Sequence, residues 1–399
     1  MRILVIHHVR NHENSSIYSS NNYSQASNTI YGAQEMDTWA GIRLLCEENE
    51  VWRLEISANH QTFQFIDNLG KVFHSGKFKL VASRISLSYL TKFFKYFDPS
   101  ITQFADENLK TEVSALVSRS SIDLIWSDTQ FYAPIIDGTI PSVIRSVNFE
   151  PAHVLAEDSG FFKFVKFFLK LLGERKANSS VSLVPISPRD SSRYKFIGLK
   201  SVEVLPLRQL SYLTSEAKSQ VPNSDYFVVM GSSFEVRHNR RNLDYCLDKL
   251  APALYEKAPG IKILIFGTRL PANIQVPVNV QIVGFSEEYR DFLLNSLGVV
   301  VPYHGGAGMQ SKVFEPLTLG VPVVANPKSI AGYPFEKDVH YLDASTISEY
   351  IDRMVELKAD GALRKYLSEN ARDTASILFS HESFSQKTNQ VLKVTAAIL

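Results

Sequence analysis

Lys312 and Glu315 stand three residues apart in VPYHGGAGMQSKVFEPLTLGVPVVANP, so on a helix they share a face. Ahead of them run Gly305, Gly306, Ala307 and Gly308, a turn with no bulky side chain. A ligand can approach the backbone of such a turn closely. A helix that follows it offers unpaired N–H groups and a positive dipole end, which favours a phosphate. A cation beside a diphosphate and a carboxylate reaching sugar hydroxyls would together read a nucleotide sugar. The pattern predicts a strand ending at Tyr303, the turn, a short helix disturbed by Pro316 just after Glu315, and a strand from Val321.

A second constellation is GSSFEVRHNRRN at 231–242. Arg237, Arg240 and Arg241 are expected between a strand end and a helix start, where arginine suits phosphate oxygens. Asn239 is either a further contact or the helix cap. His304, His7, His8, His12 and His153 are candidate acid–base groups, and at most one of His7 and His8 can point to the ligand side of a strand. The chain has no Asp-x-Asp and no His/Cys cluster with metal spacing. A carboxylate-held metal is therefore not expected, and positive charge must come from side chains and a helix end.

These groups need a rigid frame. Apolar, β-branched runs recur at Ile3–Ile6, Val51–Ile56, Ile122–Trp126, Ser142–Val147 and Val181–Ile186, then at Tyr226–Met230, Ile261–Phe266, Val280–Val283, Gly298–Pro302 and Val321–Ala325. Longer stretches of helical spacing separate them. Leu243, Leu247, Leu250 and Leu254 make one helical stripe after Asn242, with a stop near Pro259-Gly260. Such alternation predicts an α/β protein with parallel sheets covered on both faces. Two doubly wound domains are expected, 1–207 and 224–375, joined by a polar linker at 208–223. Residues 376–399 are expected to form a helix returning toward the first domain, and Asn11–Asn28 a loop after the first strand. Ligands of such sheets bind at the carboxyl ends of the strands, which in a two-domain protein can face each other across a cleft.

Composition narrows the class. The chain has 399 residues, is 45% hydrophobic and carries a formal net charge of +1, which gives no global pull toward nucleic acid. Cys46 and Cys246 lie far apart, so a disulfide framework is not expected; both are read as small buried apolar residues. The apolar start MRILVI is short for a signal peptide, and no run of eighteen uncharged apolar residues occurs. A cytoplasmic protein is expected.

GFFKFVKFFLKLLGERK at 160–176 stands apart. Lys163, Lys166 and Lys170 recur as one cationic stripe, and Phe161, Phe164, Phe168, Leu171 and Leu172 cover much of the rest. Such a helix can lie on the inner face of an anionic membrane, and LTKFFKYF at 90–97 repeats the mixture. The alternative is a buried helix with lysines at its rim.

GAGMQSKVFEPLTLGVPVVA resembles the donor-site signature of GT-B glycosyltransferases of the retaining family 4 type. SVNFEPAH at 146–153, VSLVPISPRDSSRYKF and GSSFEVRHNRRNLDYCL extend the resemblance. It implies the GT-B fold, two Rossmann-like domains facing across a cleft. It also implies a metal-independent hexosyltransferase with no cofactor beyond a UDP- or GDP-linked sugar. Lys312, Glu315 and Arg240 would be catalytic. Glu315 would bind the ribose. Gly306, Ala307, Gly308, Met309 and Gln310 would face the diphosphate, and Lys312 would support it. Gly231, Arg237, Asn239 and Arg240 would line the phosphate side, and Gly284 and Phe285 the base. The acceptor, a carbohydrate or a lipid-linked one, would enter past His7 and Gly32. Many relatives carry a second glutamate eight residues before Glu315, where this chain has Ala307. The expected activity is sugar transfer in polysaccharide or glycolipid synthesis. An epimerase-like enzyme and an inactive nucleotide-sugar-binding partner are the alternatives.

Overall fold

The computed structural model describes residues 1–9, 33–81, 87–136, 138–179, 181–214, 224–286, 288–306 and 308–397. The chain divides into two compact units. The first holds Gln34–Arg208, the opening strand and the last helix from Phe384; the second holds Gln209–Ser383.

In the first unit seven strands make one sheet, ordered β4-β3-β2-β1-β5-β6-β7. They are β1 (Arg2–His8), β2 (Glu50–Ser57), β3 (Thr62–Ile66), β4 (Val72–Lys77), β5 (Leu124–Ser127), β6 (Ser142–Ser146) and β7 (Ser182–Pro185). The pairs β2–β3 and β3–β4 are antiparallel. The hairpin strands β3 and β4 were not among the expected runs. The hairpin follows β2 through a tight turn at 58–61 with Gln61 at φ 50°, and Phe63 and Phe65 bury against the core. Its short strands alternate polar with apolar, a weaker signal than a continuous apolar run. Around this sheet pack α1 (Ala33–Cys46), α2 (Leu87–Tyr96) and α3 (Phe162–Ala177), among others.

The second unit has six parallel strands, ordered β10-β9-β8-β11-β12-β13. They are β8 (Tyr226–Ser233), β9 (Lys262–Thr268), β10 (Val280–Gly284), β11 (Gly298–Val301), β12 (Val323–Ala325) and β13 (Leu342–Asp343). In chain order within the unit this reads 3-2-1-4-5-6. The connections reverse direction between β8 and β11, and such a reversal opens a crevice at the strands' carboxyl ends. Three helices matter for that crevice: α4 (Arg237–Tyr245), α5 (Tyr289–Asn295) and α6 (Ser311–Leu319).

The leucine stripe is buried as its spacing requires, but the helix carrying it starts earlier than expected, at Arg237. It runs on through a π turn at Cys246–Leu250 to Lys257. Pro316 does not end α6, which continues to Leu319 and closes on Gly320 in the left-handed conformation. The amide of Val321 bonds back to the Pro316 carbonyl, a satisfied C-terminal cap. Tertiary packing holds the proline in place. Phe314 is fully buried and meets Tyr333, Phe335 and Phe379 at 4.9, 5.9 and 6.2 Å between ring centres. Burying one such ring is worth about 1.5–3 kcal/mol, and each edge-on pair adds about 0.5–1.5 kcal/mol. This anchor fixes which face of α6 looks out, and Lys312 and Glu315 lie on it.

The chain leaves the first unit over a buried ion network. Arg208 reaches Asp37 and Asp128 at 3.0 and 2.9 Å, and Arg145 pairs with Asp37. Leu210–Leu213, read from sequence as polar linker, is a buried helical turn. Of the last helix, α7 (His381–Ala396), the part from Phe384 belongs to the first unit, where Asn389 donates to Glu48 at 3.0 Å. Cys246 is buried, but Cys46 is exposed, against expectation. The Asn11–Asn28 loop lies outside the described residues.

Candidate functional site

Two strand ends flank the crevice of the second unit, β8 running into Gly231–Ser233 and β11 into Pro302–His304. Gly305, Gly306 and Gly308 have φ of 118°, 92° and 69°. L-residues rarely adopt these angles, so the turn's path depends on glycine. Ala307 lies outside the described residues. Gly306 is buried and its carbonyl accepts from the Tyr303 hydroxyl at 3.3 Å. A methyl group at Gly306 would sit 3.6 Å from the His238 ring and 3.6 Å from the Gln310 amide nitrogen. The bare turn thus lies against α4 on one side and the start of α6 on the other.

Gln310 opens α6 without a side-chain cap, and its own Oε1 is buried with no hydrogen-bond partner among the described residues. The Val313 amide bonds back to the Gln310 carbonyl at 3.0 Å, so this nine-residue helix opens on a backbone turn with no side-chain cap, an end whose dipole favours an anion. Met309 is buried beside it.

Positive charge converges on the turn. The Arg241 guanidinium donates to the His304 carbonyl at 3.0 Å, and the Asn242 side chain accepts from the His304 amide at 3.1 Å. Tyr245 packs on the His304 ring at 4.5 Å. Burial, then the charges of Arg241, Lys249 and Lys312, lowers the pKa of His304. The three charges that lower it are all cations. An anion placed there would meet a positive potential in a partly desolvated crevice.

Lys312 comes from the opposite wall. Its ammonium donates to the Asn239 side chain at 3.4 Å, and the Asn239 amide donates to the Ser233 carbonyl at 3.0 Å. Asn239 is buried within the first turn of α4, where Val236 is the cap residue. It is not the cap; it ties Lys312 to the end of β8.

The other sequence candidates divide. Arg237, Arg240 and Arg241 lie within α4 rather than before it. Arg237 is exposed at its first position. Arg240 pairs with Asp244 at 2.7 Å along the helix surface. One residue on, the helix turns Arg241 to the glycine turn, so Arg241 replaces Arg240 as the arginine beside the cradle. Gly231 has a packing reason: a methyl there would come 2.7 Å from the Phe234 ring. Gly284 has φ 77° and leads to Phe285, which is half exposed after β10.

Glu315 has a partner that sequence spacing did not suggest. The Tyr289 hydroxyl, from the first residue of α5, donates to its carboxylate. Burial, then Glu315, holds the Tyr289 phenol well above its usual range, and Arg290 donates to the same hydroxyl. His238 was also missed. Its single imidazole reads like any surface histidine until the helix start is moved to Arg237.

The acceptor-side candidates fare differently. Gly32 and His12 lie outside the described residues. His7 is 1% exposed, packed edge-on against Trp39 at 5.4 Å and 3.9 Å from Glu55. Burial pushes its pKa down to about 4. A sealed neutral imidazole cannot reach an acceptor, so His7 is corrected to a core residue. His8, the partly exposed neighbour, lies 3.4 Å from the Tyr132 hydroxyl. In SVNFEPAH and VSLVPISPRD the polar residues do structural work. The Glu150 amide donates to buried Glu174, and Ser187 caps a helix through Asp190. Among the described residues no group of three or more His, Cys, Asp or Glu could hold a metal ion.

Residues 225–360 match the family model for glycosyl transferases group 1. No curated protein matches the chain. Over its whole length the fold is that of GT-B proteins. Sucrose-phosphate synthase from Thermosynechococcus elongatus superposes with a TM-score of 0.63 at 13% identity, covering 100% of both chains. HepE of Anabaena, solved with UDP, gives 0.61 at 14% identity over 99% of this chain and 100% of that one. A putative UDP-N-acetylglucosamine 2-epimerase from Listeria monocytogenes gives 0.52 at 8% identity, over 94% and 95%.

Proposed function

We propose that this chain, whose residues 225–360 match the family model for glycosyl transferases group 1, moves a sugar from a UDP- or GDP-linked donor to a hydroxyl acceptor with retention of configuration. One observation carries the reading. A bare glycine turn, an uncapped helix start and the cations Arg241 and Lys312 meet at the strand-order reversal of the second sheet. That combination suits a diphosphate. Glu315, on the same face of α6 as Lys312, suits the ribose hydroxyls.

The chemistry follows from the charges. The bond between the sugar's anomeric carbon and the diphosphate oxygen breaks, and the acceptor oxygen bonds to that carbon from the same face. The acceptor proton passes to the leaving diphosphate. Negative charge grows on the diphosphate, and fixed amides with Lys312 and Arg241 stabilise it without reorganising. No covalent glycosyl-enzyme and no metal is required. The acceptor class we favour is a carbohydrate or lipid-linked hydroxyl of cell-envelope polysaccharide or glycolipid synthesis, handled in the cytoplasm.

HepE is solved with UDP-glucose, which supports a nucleotide-sugar site on this fold. The epimerase likeness leaves a rival that would consume donor without acceptor. Donor turnover separates them. Release of nucleoside diphosphate that depends on acceptor and is lost in Lys312→Ala and Glu315→Ala supports transfer. Undiminished turnover in both variants overturns the site.

A further inference from the structure

Helix α3 in the first unit buries only a narrow side. Its buried residues are Gly173, Glu174 and Ala177. Lys170 points the same way, pairing with Asp98 at 3.0 Å and lying 3.6 Å from Glu150. Gly173 lets the helix press on Tyr96–Asp98, where a methyl would meet the Asp98 Cβ at 2.5 Å. Of the lysine stripe, Lys170 is thus drawn inward, while Lys166 stays exposed.

The aromatics point out. Phe161 and Phe162 are each 77% exposed, Phe168 60%, and Phe164, Val165 and Leu172 between 44% and 48%. Phe94 of α2, which packs beside α3, adds another ring at 62%. An apolar face this continuous is unusual on a surface in contact with water alone. The exposed charges of its two helices have one sign. The exposed charged side chains of α2 and α3 are Lys95, Lys166, Arg175 and Lys176; the one acid of these helices, Glu174, is fully buried. Lys166 is shared with Asp158 of the preceding loop at 2.7 Å.

We propose that this face docks on an anionic lipid bilayer. Phenylalanine and leucine side chains would enter the interface while Lys95, Arg175 and Lys176 lie at headgroup level. A second copy of this chain fits worse: two-fold pairing would bring each cationic rim against its like. The inference stands on the first unit alone and survives or fails independently of the nucleotide site.

Sedimentation of the full chain with phosphatidylcholine vesicles, with and without phosphatidylglycerol, tests it. The protein should pellet with the anionic vesicles and stay in solution with the neutral ones. Phe161→Ser/Phe168→Ser, changed at exposed positions, should keep its unfolding midpoint and lose at least about fivefold in bound fraction. Arg175→Glu/Lys176→Glu should lose a similar factor and carries the test alone if the serine variant misfolds. Failure of the wild type to pellet with either vesicle overturns the proposal, as does binding that both double variants leave unchanged. Light scattering that shows a dimer abolished by Phe161→Ser/Phe168→Ser, without vesicle binding, assigns the face to a second copy instead.

Discussion

The Tyr289 hydroxyl donates to the Glu315 carboxylate, joining the helix after Gly284–Phe285 to the helix after the glycine turn. Arg290 donates to that hydroxyl in turn. The carboxylate plane is therefore set before any ligand arrives. In Tyr289→Phe, the bond is lost and Glu315 can rotate. Affinity for a nucleoside diphosphate should fall about fivefold, the worth of one hydrogen bond near 1 kcal/mol. The preference for the ribose form over its deoxy analogue should shrink with it. Titration calorimetry with both ligands reads this; a loss equal for both would mean a general loosening rather than an aimed carboxylate.

Lys312 is the charge whose removal should matter most for the diphosphate. Lys312→Met should weaken nucleoside diphosphate binding by about tenfold or more, since hydrogen bonds to charged groups are worth about 1.5–3 kcal/mol. The free nucleoside should bind as before. Asn239→Ala, which unties the ammonium from Ser233, should give a smaller loss in the same direction.

Gly306→Ala tests the backbone of the cradle. The added methyl meets only ordinary contacts, at 3.6 Å, but φ 92° is hostile to an L-residue. The strain should cost about 1–3 kcal/mol. Scanning calorimetry should show a lower midpoint for the second unit, and diphosphate affinity should drop with it.

Glu174 gives a pH signature. Burial raises its carboxyl pKa to about 8. The unfolded chain releases that proton near the ordinary carboxylate value, while the folded chain keeps it. Its contribution to stability is thus complete below about pH 4.5 and falls as pH rises toward 8, by up to about 1.4 kcal/mol per pH unit. Denaturant melts of wild type and Glu174→Gln across that range should show the slope in the first and a flatter profile in the second.

Much of this was legible from local pattern. Parallel buried strands announce themselves as continuous apolar runs, which is why β5, β8 and β11 fall where expected. The glycines and the Lys312–Glu315 spacing pointed to the candidate turn for the same reason: each signal spans only a few residues. What sequence could not give were pairings across distance. Tyr289 lies 26 residues from Glu315, and nothing near either marks the contact. The roles of Arg240 and Arg241 turned on a helix start misplaced by a few residues, because one step on a helix rotates a side chain by about 100°. The stripe of α3 was legible, but not that buried Asp98 draws Lys170 out of it and inward.

The most direct test is a crystal structure with UDP or GDP bound. The account predicts phosphate oxygens about 3 Å from amides of the 305–308 turn and the first residues of α6, with ribose hydroxyls on Glu315. Phosphates bound elsewhere, or a nucleotide whose ribose lies away from Glu315, would contradict it.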